Sequence, residues 1–458
     1  MQQTDTLCYE NKNGYDLIQD REREEMEAYC SRYCRFLDQS KTEREAAARA
    51  VALARQHGFR PYEPGAPLSP GDKIYRVNRD KGLVLAVIGA RPLSEGARIA
   101  VAHADSPRLD LKPNPLREEE LALLRTHYYG GIKKYQWTAV PLALHGVFCL
   151  KDGSVLPVCI GEDPDDPVFC VTDLLPHLAN KQMDKKLSEG VSGEDLQVLF
   201  GSEPVGDPDA KHRIKAALLA SLNERFGVTE ADFLSAELAL VPAAPCREVG
   251  LDRSLLGAYG HDDRVCVYAE LEAILNLDQP EHTAVCLLAD KEEIGSVGVS
   301  GMQSRFFDFF MEDLCGGPTD TYRRCLERSL CLSADVCNAL DPLYADVSES
   351  QNSARLNHGV AVCKYTGSRG KAGSSDASGE TVAKFRSIFD ASGVVWQMTE
   401  LGKVDQGGGG TVAGYMANRN IDTLDVGVAL LSMHAPMEIA AKLDCYMLQK
   451  AAAAFYRS

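Results

Sequence analysis

Basic charge is in short supply in this chain: 49 Lys and Arg stand against 66 Asp and Glu, a formal net charge of −17. A nucleic-acid partner requires basic patches that neutralise phosphates, so that class is excluded. Long apolar runs are also missing. No stretch reaches the roughly 18 apolar residues of a membrane-spanning helix, and a membrane partner is not expected. Residues 1–35 are rich in charge and hold no apolar segment of the kind a secretory leader needs. There are fifteen cysteines but no CxxC pair, which removes the clustered spacing of a thiolate zinc site. Several of them (Cys149, Cys286, Cys363) lie inside apolar runs. They read as reduced, mostly buried small hydrophobes, and the expected location is cytoplasmic. Internal repeats and long low-complexity tracts are absent as well.

What is present is the material of a large soluble fold: 458 residues, 45% hydrophobic and 25% charged. At about 150 residues per domain, that length predicts two or three domains, or one large domain with an insertion. Residues 22–56, dominated by Glu, Arg, Ala and Leu, predict one or two amphipathic helices. The runs 83–88 and 98–103 are continuously apolar, as in strands buried on both faces. Between Pro107 and Val249 the texture changes to short apolar runs broken by prolines, glycines and acids, which marks an inserted or second domain. From Leu251 onward, helices alternate with the strand-like runs 284–289, 331–335 and 360–364. That rhythm predicts an α/β fold with a mostly parallel sheet flanked by helices.

Five short motifs place acids or imidazoles at the C-terminal end of a predicted strand or at a helix start. They are Ala102-His-Ala-Asp-Ser-Pro107, Gly260-His-Asp-Asp-Arg264, Asp290-Lys-Glu-Glu-Ile-Gly295, Ser333-Ala-Asp335 and Ser432-Met-His434. In open α/β sheets ligands bind at that edge. Each motif alone has a plainer reading. Asp262-Asp263 suits a helix N-cap with a first-turn acid, His103 an ordinary strand-end histidine, and Glu292-Glu293 a solvated turn. Together they supply two histidines and three carboxylates, enough for two metals sharing one bridging carboxylate. Carboxylates crowded at one edge repel one another unless divalent cations hold them, and His with Asp or Glu suits zinc, with cobalt or manganese as substitutes. The adjacent glutamates offer a metal ligand and a general base if the chain turns between them.

The same residues bring a family to mind. The sequence resembles the aspartyl aminopeptidases, a family of dinuclear zinc metallopeptidases, and within it the bacterial branch. The resemblance is carried by AHADSPRLDLKP from Ala102, YGHDDRVC from Tyr259 and DKEEIGS from Asp290. It continues with KYTGSRGKAGSSDA from Lys364, GGGGT from Gly407 and SMHAP from Ser432. It implies that His103 and Asp335 are terminal ligands of one zinc, Glu293 and His434 those of the other, and Asp262 the bridge. It also implies Glu292 as general base and Asp105 as the carboxylate that orients His103. The implied architecture is a zinc peptidase domain, residues 1–106 and 250–458, interrupted at 107–249 by a β-rich dimerisation and assembly domain. Members form homo-oligomers, commonly tetrahedral dodecamers. Lys364 matches a family lysine near the specificity pocket, the basic cluster of Lys364, Arg369 and Lys371 would attract a side-chain carboxylate, and His177 matches a histidine of the inserted domain that acts near a neighbouring subunit's site. A solvated loop and a plain surface histidine are the alternatives. Where eukaryotic members carry a histidine-containing stretch this chain has Asn338 and Asp341, which leaves preference for an acidic N-terminal residue open.

The expected activity is removal of the N-terminal residue from peptides with a free amino terminus. A zinc carboxypeptidase or deacylase of related core is the nearest alternative, and a catalytically idle assembly protein is the alternative outside enzymes.

Overall fold

The computed structural model describes residues 7–458. Its centre is a nine-stranded sheet in the order Arg60–Pro61, Lys73–Asn78, Gly82–Val87, Ala284–Ala289, Arg98–His103, Leu330–Ala334, Asp422–Gly427, Val360–Cys363, Trp396–Thr399. The four strands from Ala284–Ala289 to Asp422–Gly427 run parallel to one another, and the strands flanking them, Gly82–Val87 and Val360–Cys363, pair with them antiparallel. The residues of the four parallel strands are almost all fully buried, which is why the first three read as apolar runs, while Asp422–Gly427 carries buried Thr423 and Asp425 and does not. Register decides which strand ends meet. Ala289 pairs with His103, and Ser333 pairs with both Val101 and Asp425. The C-terminal ends of three adjacent strands therefore open onto one edge.

Helices cover both faces. The predicted N-terminal helical segment is two helices, Asp20–Asp38 and Glu43–Gln56, because Thr42 starts a new one: its hydroxyl accepts the Glu45 amide while the Glu45 carboxylate accepts the Thr42 amide. The helix His261–Leu275 is buried nearly all round, between the sheet and the C-terminal helix Lys442–Tyr456. Each Leu, Ile or Val it buries contributes roughly 1.5–3 kcal/mol. A second apolar layer on the opposite face gathers Phe307, Phe310, Met311 and Met416.

Two further sheets complete the molecule. A seven-stranded sheet has its named strands between Arg108 and Pro242, every pairing antiparallel, around its own core with Trp137, Phe148 and Phe233. A five-stranded sheet joins Arg247–Val249, Leu255–Ala258, Glu438–Ala441, Ala429–Leu431 and Cys337–Asn338. The predicted mixed α/β fold with a mostly parallel sheet is present, while this small third sheet was not anticipated. Its strands are two to four residues long, too short for an alternation pattern to show.

Candidate metal centre

Each motif reaches the same edge by a different local device. His103 closes the strand Arg98–His103. Glu292 and Glu293 sit on a single 3-10 turn, Glu292–Ile294, entered through Lys291 in the left-handed region. Asp262 lies at the start of the buried helix, before its backbone settles into helical angles, and its bond to Asp263 is cis. Gly260 makes that entry feasible: its φ is +76°, and a Cβ there would stand 2.1 Å from the buried Arg264 guanidinium. Asp335 follows the strand Leu330–Ala334, and His434 sits between the two short strands Ala429–Leu431 and Glu438–Ala441.

The side chains form two triads that share Asp262. His103, Asp262 and Asp335 make one, and Asp262, Glu293 and His434 the other, each with its ligand atoms within 4.8 Å of one another. His103 Nε2 is 3.3 Å from Asp262 Oδ1 and 3.8 Å from Asp335 Oδ1. His434 Nε2 is 2.9 Å from Asp262 Oδ2 and 3.3 Å from Glu293 Oε1. Asp262 thus offers one oxygen to each side. Both imidazoles are fixed through their other nitrogen. His103 Nδ1 lies 3.1 Å from the Asp105 carbonyl and 3.3 Å from its carboxylate, and His434 Nδ1 donates to the Gly131 carbonyl at 2.7 Å. That pattern leaves Nε2 of each ring facing the carboxylates, as in histidine metal ligation.

The electrostatics are those of a cation site. Burial opposes charge on His103, yet Asp105, Asp262 and Asp335 hold it well above its ordinary value. Burial likewise opposes charge on His434, but Asp262 and Glu293 push it up to about 12. Burial, reinforced by neighbouring carboxylates against the pull of His103, raises Glu292 to about 8. Burial and Asp262 raise Glu293 to about 7, and burial also lifts Asp335. Asp262 is held below the carboxylate range in spite of its burial, because both imidazoles stand beside it. Such a cluster demands positive charge between its members. Asp262 Oδ1 and Glu293 Oε1 are buried without a hydrogen-bond partner among the described residues, a costly state that coordination relieves. Oxygen and imidazole donors in this arrangement fit zinc.

Three site residues were missed in the sequence. Glu438, fully buried and raised to about 8 by burial and then Asp262, accepts the Asp262 amide at 3.0 Å and the His434 amide at 2.7 Å. An acid inside the apolar segment 435–441 was its only signal. Asp263 accepts the His103 amide at 3.2 Å. Tyr129 donates to Asp105 at 2.8 Å, and nothing in its motif announces it. The expected substrate residues make contacts of their own. Lys364 and Lys371 share Asp376 at 2.7 and 3.0 Å, while Arg369 makes no ion pair among the described residues and lines a cleft of about 280 Å³ with Tyr365, Lys371, Glu400 and Lys403. Backbone of the glycine run closes on that loop, with Gly367 N–H donating to Gly409 at 2.7 Å. His177 is exposed on the turn Pro176–Leu178 and makes no hydrogen bond among the described residues.

Known proteins resemble this chain over nearly its whole length. The family model described as aminopeptidase I zinc metalloprotease (M18) matches residues 36–456. A probable M18 family aminopeptidase 1 of Clostridium acetobutylicum is 48% identical, over 98% of this chain and 98% of that protein. The crystal structure of an M18 family aminopeptidase from Thermotoga maritima superposes with a TM-score of 0.94 at 42% identity, covering 98% of this chain and 100% of that one. At 19% identity, a solved dodecamer of Saccharomyces cerevisiae mApe1 shares the fold, with a TM-score of 0.76 over 94% of this chain and 97% of that one. With its fold, its two triads and a match over nearly its full length, the chain belongs to the M18 family of zinc metalloprotease aminopeptidases.

Proposed function

We propose that the chain removes the N-terminal residue of peptides using two zinc ions, with Glu292 as general base. The observation that carries this reading is the sharing of Asp262 by two triads beside the Glu292–Glu293 turn. His103 and Asp335 would hold one ion, Glu293 and His434 the other, and Asp262 would bridge; cobalt or manganese suits the same donors. When bound, such ions supply Lewis-acid polarisation of the scissile carbonyl and acidify a water.

The chain's own residues do the rest. Glu292 takes a proton from the attacking water and later returns it to the leaving amine. A base raised to about 8 before the ions bind, and drawn down by their charge, works near neutral pH and can do both. Asp105 accepts the amides of Glu292 and Glu293 at 3.1 and 3.2 Å and so fixes the turn from which both act. The substrate's free amino group sits against the carboxylates, which favours an aminopeptidase over a carboxypeptidase or deacylase of related core. Glu292→Gln is expected to keep both metals and lower kcat by about 10³-fold. Near-native turnover in the zinc-loaded variant would remove Glu292 from that role.

Preference for an acidic N-terminal residue rests on narrower support: Arg369 and Lys403 line the cleft without ion-pair partners among the described residues. Rates on a panel of peptides differing in their first residue decide it, with N-acylated versions as the control. Residues 107–249 are proposed as the assembly domain and 1–106 with 250–458 as the peptidase domain. Leu174, Leu175, Leu178, Met183 and Leu187 are exposed on the former, as a surface that meets another copy would be. A homo-oligomer follows, with the mApe1 dodecamer as the pattern and His177 reaching toward a neighbouring copy. Sedimentation of the full chain reads its mass.

A further inference from the structure

The antiparallel sheet does more than stand beside the metal centre. Its strand Ala122–Tyr129 ends against the site, and the three residues 129–131 touch both of its histidine sides. Tyr129 Oη donates to Asp105 Oδ2 at 2.8 Å. That carboxylate holds the amides of Glu292 and Glu293 and lies 3.3 Å from His103 Nδ1. Two residues on, the Gly131 carbonyl accepts His434 Nδ1–H at 2.7 Å. Between them Gly130 has a φ of +75°, and a Cβ there would stand 3.3 Å from Glu293 Oε2 and 3.2 Å from Pro107. Only a bare backbone passes this close without pushing the glutamate aside.

Tyr129 is itself held rigid. It pairs with Arg108 in the sheet register, and the Arg108 guanidinium lies over its ring at 4.3 Å. Arg108 is anchored in turn by Glu43 and Asp110, both at 2.7 Å. The hydroxyl that meets Asp105 therefore belongs to a fixed framework.

We infer that the Tyr129-Gly130-Gly131 turn is the positioning element of the metal centre. Tyr129 aims Asp105, and through it His103 and the Glu292–Glu293 turn, while Gly131 aims His434. The sheet that carries these residues is then required for metal affinity within a single chain, apart from any part it takes in assembly. This inference rests on the ligand assignment proposed above.

The test is zinc affinity of the metal-free, full-length protein, read by competition with a coloured chelator. Tyr129→Phe keeps the ring and its contact with Arg108 but loses the bond to Asp105. It is expected to weaken zinc by about 10-fold or more, lower kcat with little change in KM, and shift the visible spectrum of the cobalt-loaded protein. The melting temperature of the metal-free protein should stay as in the native chain. Native zinc affinity in the variant would overturn the inference, and so would a loss of affinity matched by an equal loss of metal-free stability. Gly130→Ala is the second variant, with the same expected direction and the same readout, so an insoluble Tyr129→Phe leaves the question answerable. His434→Ala run alongside separates the two levels. It should lose one of the two zinc ions, and binding of both at native affinity would overturn the ligand assignment together with this inference.

Discussion

At the scale of single residues, the histidines set how the site answers to pH. Without an ion, His103 is held well above its ordinary value and His434 is pushed up to about 12, so both carry protons across the neutral range. A metal ligand must be the neutral ring, and each ion that binds displaces a proton. Zinc affinity is therefore expected to rise with pH and to weaken as pH falls, by about one proton per imidazole. Chelator competition at several pH values checks this, and a flat profile would contradict the protonated starting state. These residues were legible in the sequence because His, Asp and Glu at strand ends are chemically conspicuous. Glu438 and Gly131 were not, since each acts on or through a main-chain group, Glu438 on the amides of Asp262 and nearby His434 and Gly131 through its carbonyl on distant His434. Tyr129 was hidden for a related reason, as a tyrosine in a sheet is ordinary until its neighbour is known.

Elements were legible to the degree that burial wrote a pattern into them. The strands Arg98–His103 and Ala284–Ala289 fall where their apolar runs do. Between the strand-like runs 284–289 and 331–335 the chain forms two helices, Phe306–Leu314 and Asp320–Arg328, because Gly316, Gly317 and Pro318 interrupt the helical stretch. The helix His261–Leu275 carries one internal conflict. Glu270 is fully buried on it, and neither carboxylate oxygen has a hydrogen-bond partner among the described residues. Burial raises it well above its ordinary value. As pH rises past that ordinary value the unfolded chain ionises first, so stability is present at low pH and lost as pH increases. Glu270→Gln mimics the protonated form. It is expected to melt higher than the native chain at about pH 8 and to converge with it toward about pH 5. A constant difference across that range would mean the carboxyl is not the cause.

On the whole-molecule scale, metal binding ties together parts that are distant in sequence. The proposed ligands come from the ends of two strands of the large sheet, a turn, a helix start and the loop of the small sheet, and two of them meet the antiparallel unit, His434 directly and His103 through Asp105. Ions bound only by the folded chain stabilise it by about 4 kcal/mol at a thousandfold excess over Kd. Removing them also leaves carboxylates facing one another. Chelation is thus expected to lower the melting temperature in scanning calorimetry, and an unchanged transition would mean that the acids tolerate their own company. The change of texture after Pro107 was visible in the sequence, but the contact of that segment with the two triads was not, because it is made through the short turn of Tyr129 to Gly131.

The two halves of the centre differ in their access to water. The His103 side chain is 1% exposed and that of His434 is 29% exposed. On the proposed assignment, an ion held by His103 would leave slowly, while one held by His434 would trade more readily with the surroundings. A protein made in one metal and moved into another would then pass through a long-lived hybrid, holding the old ion in the deep seat and the new one in the shallow seat.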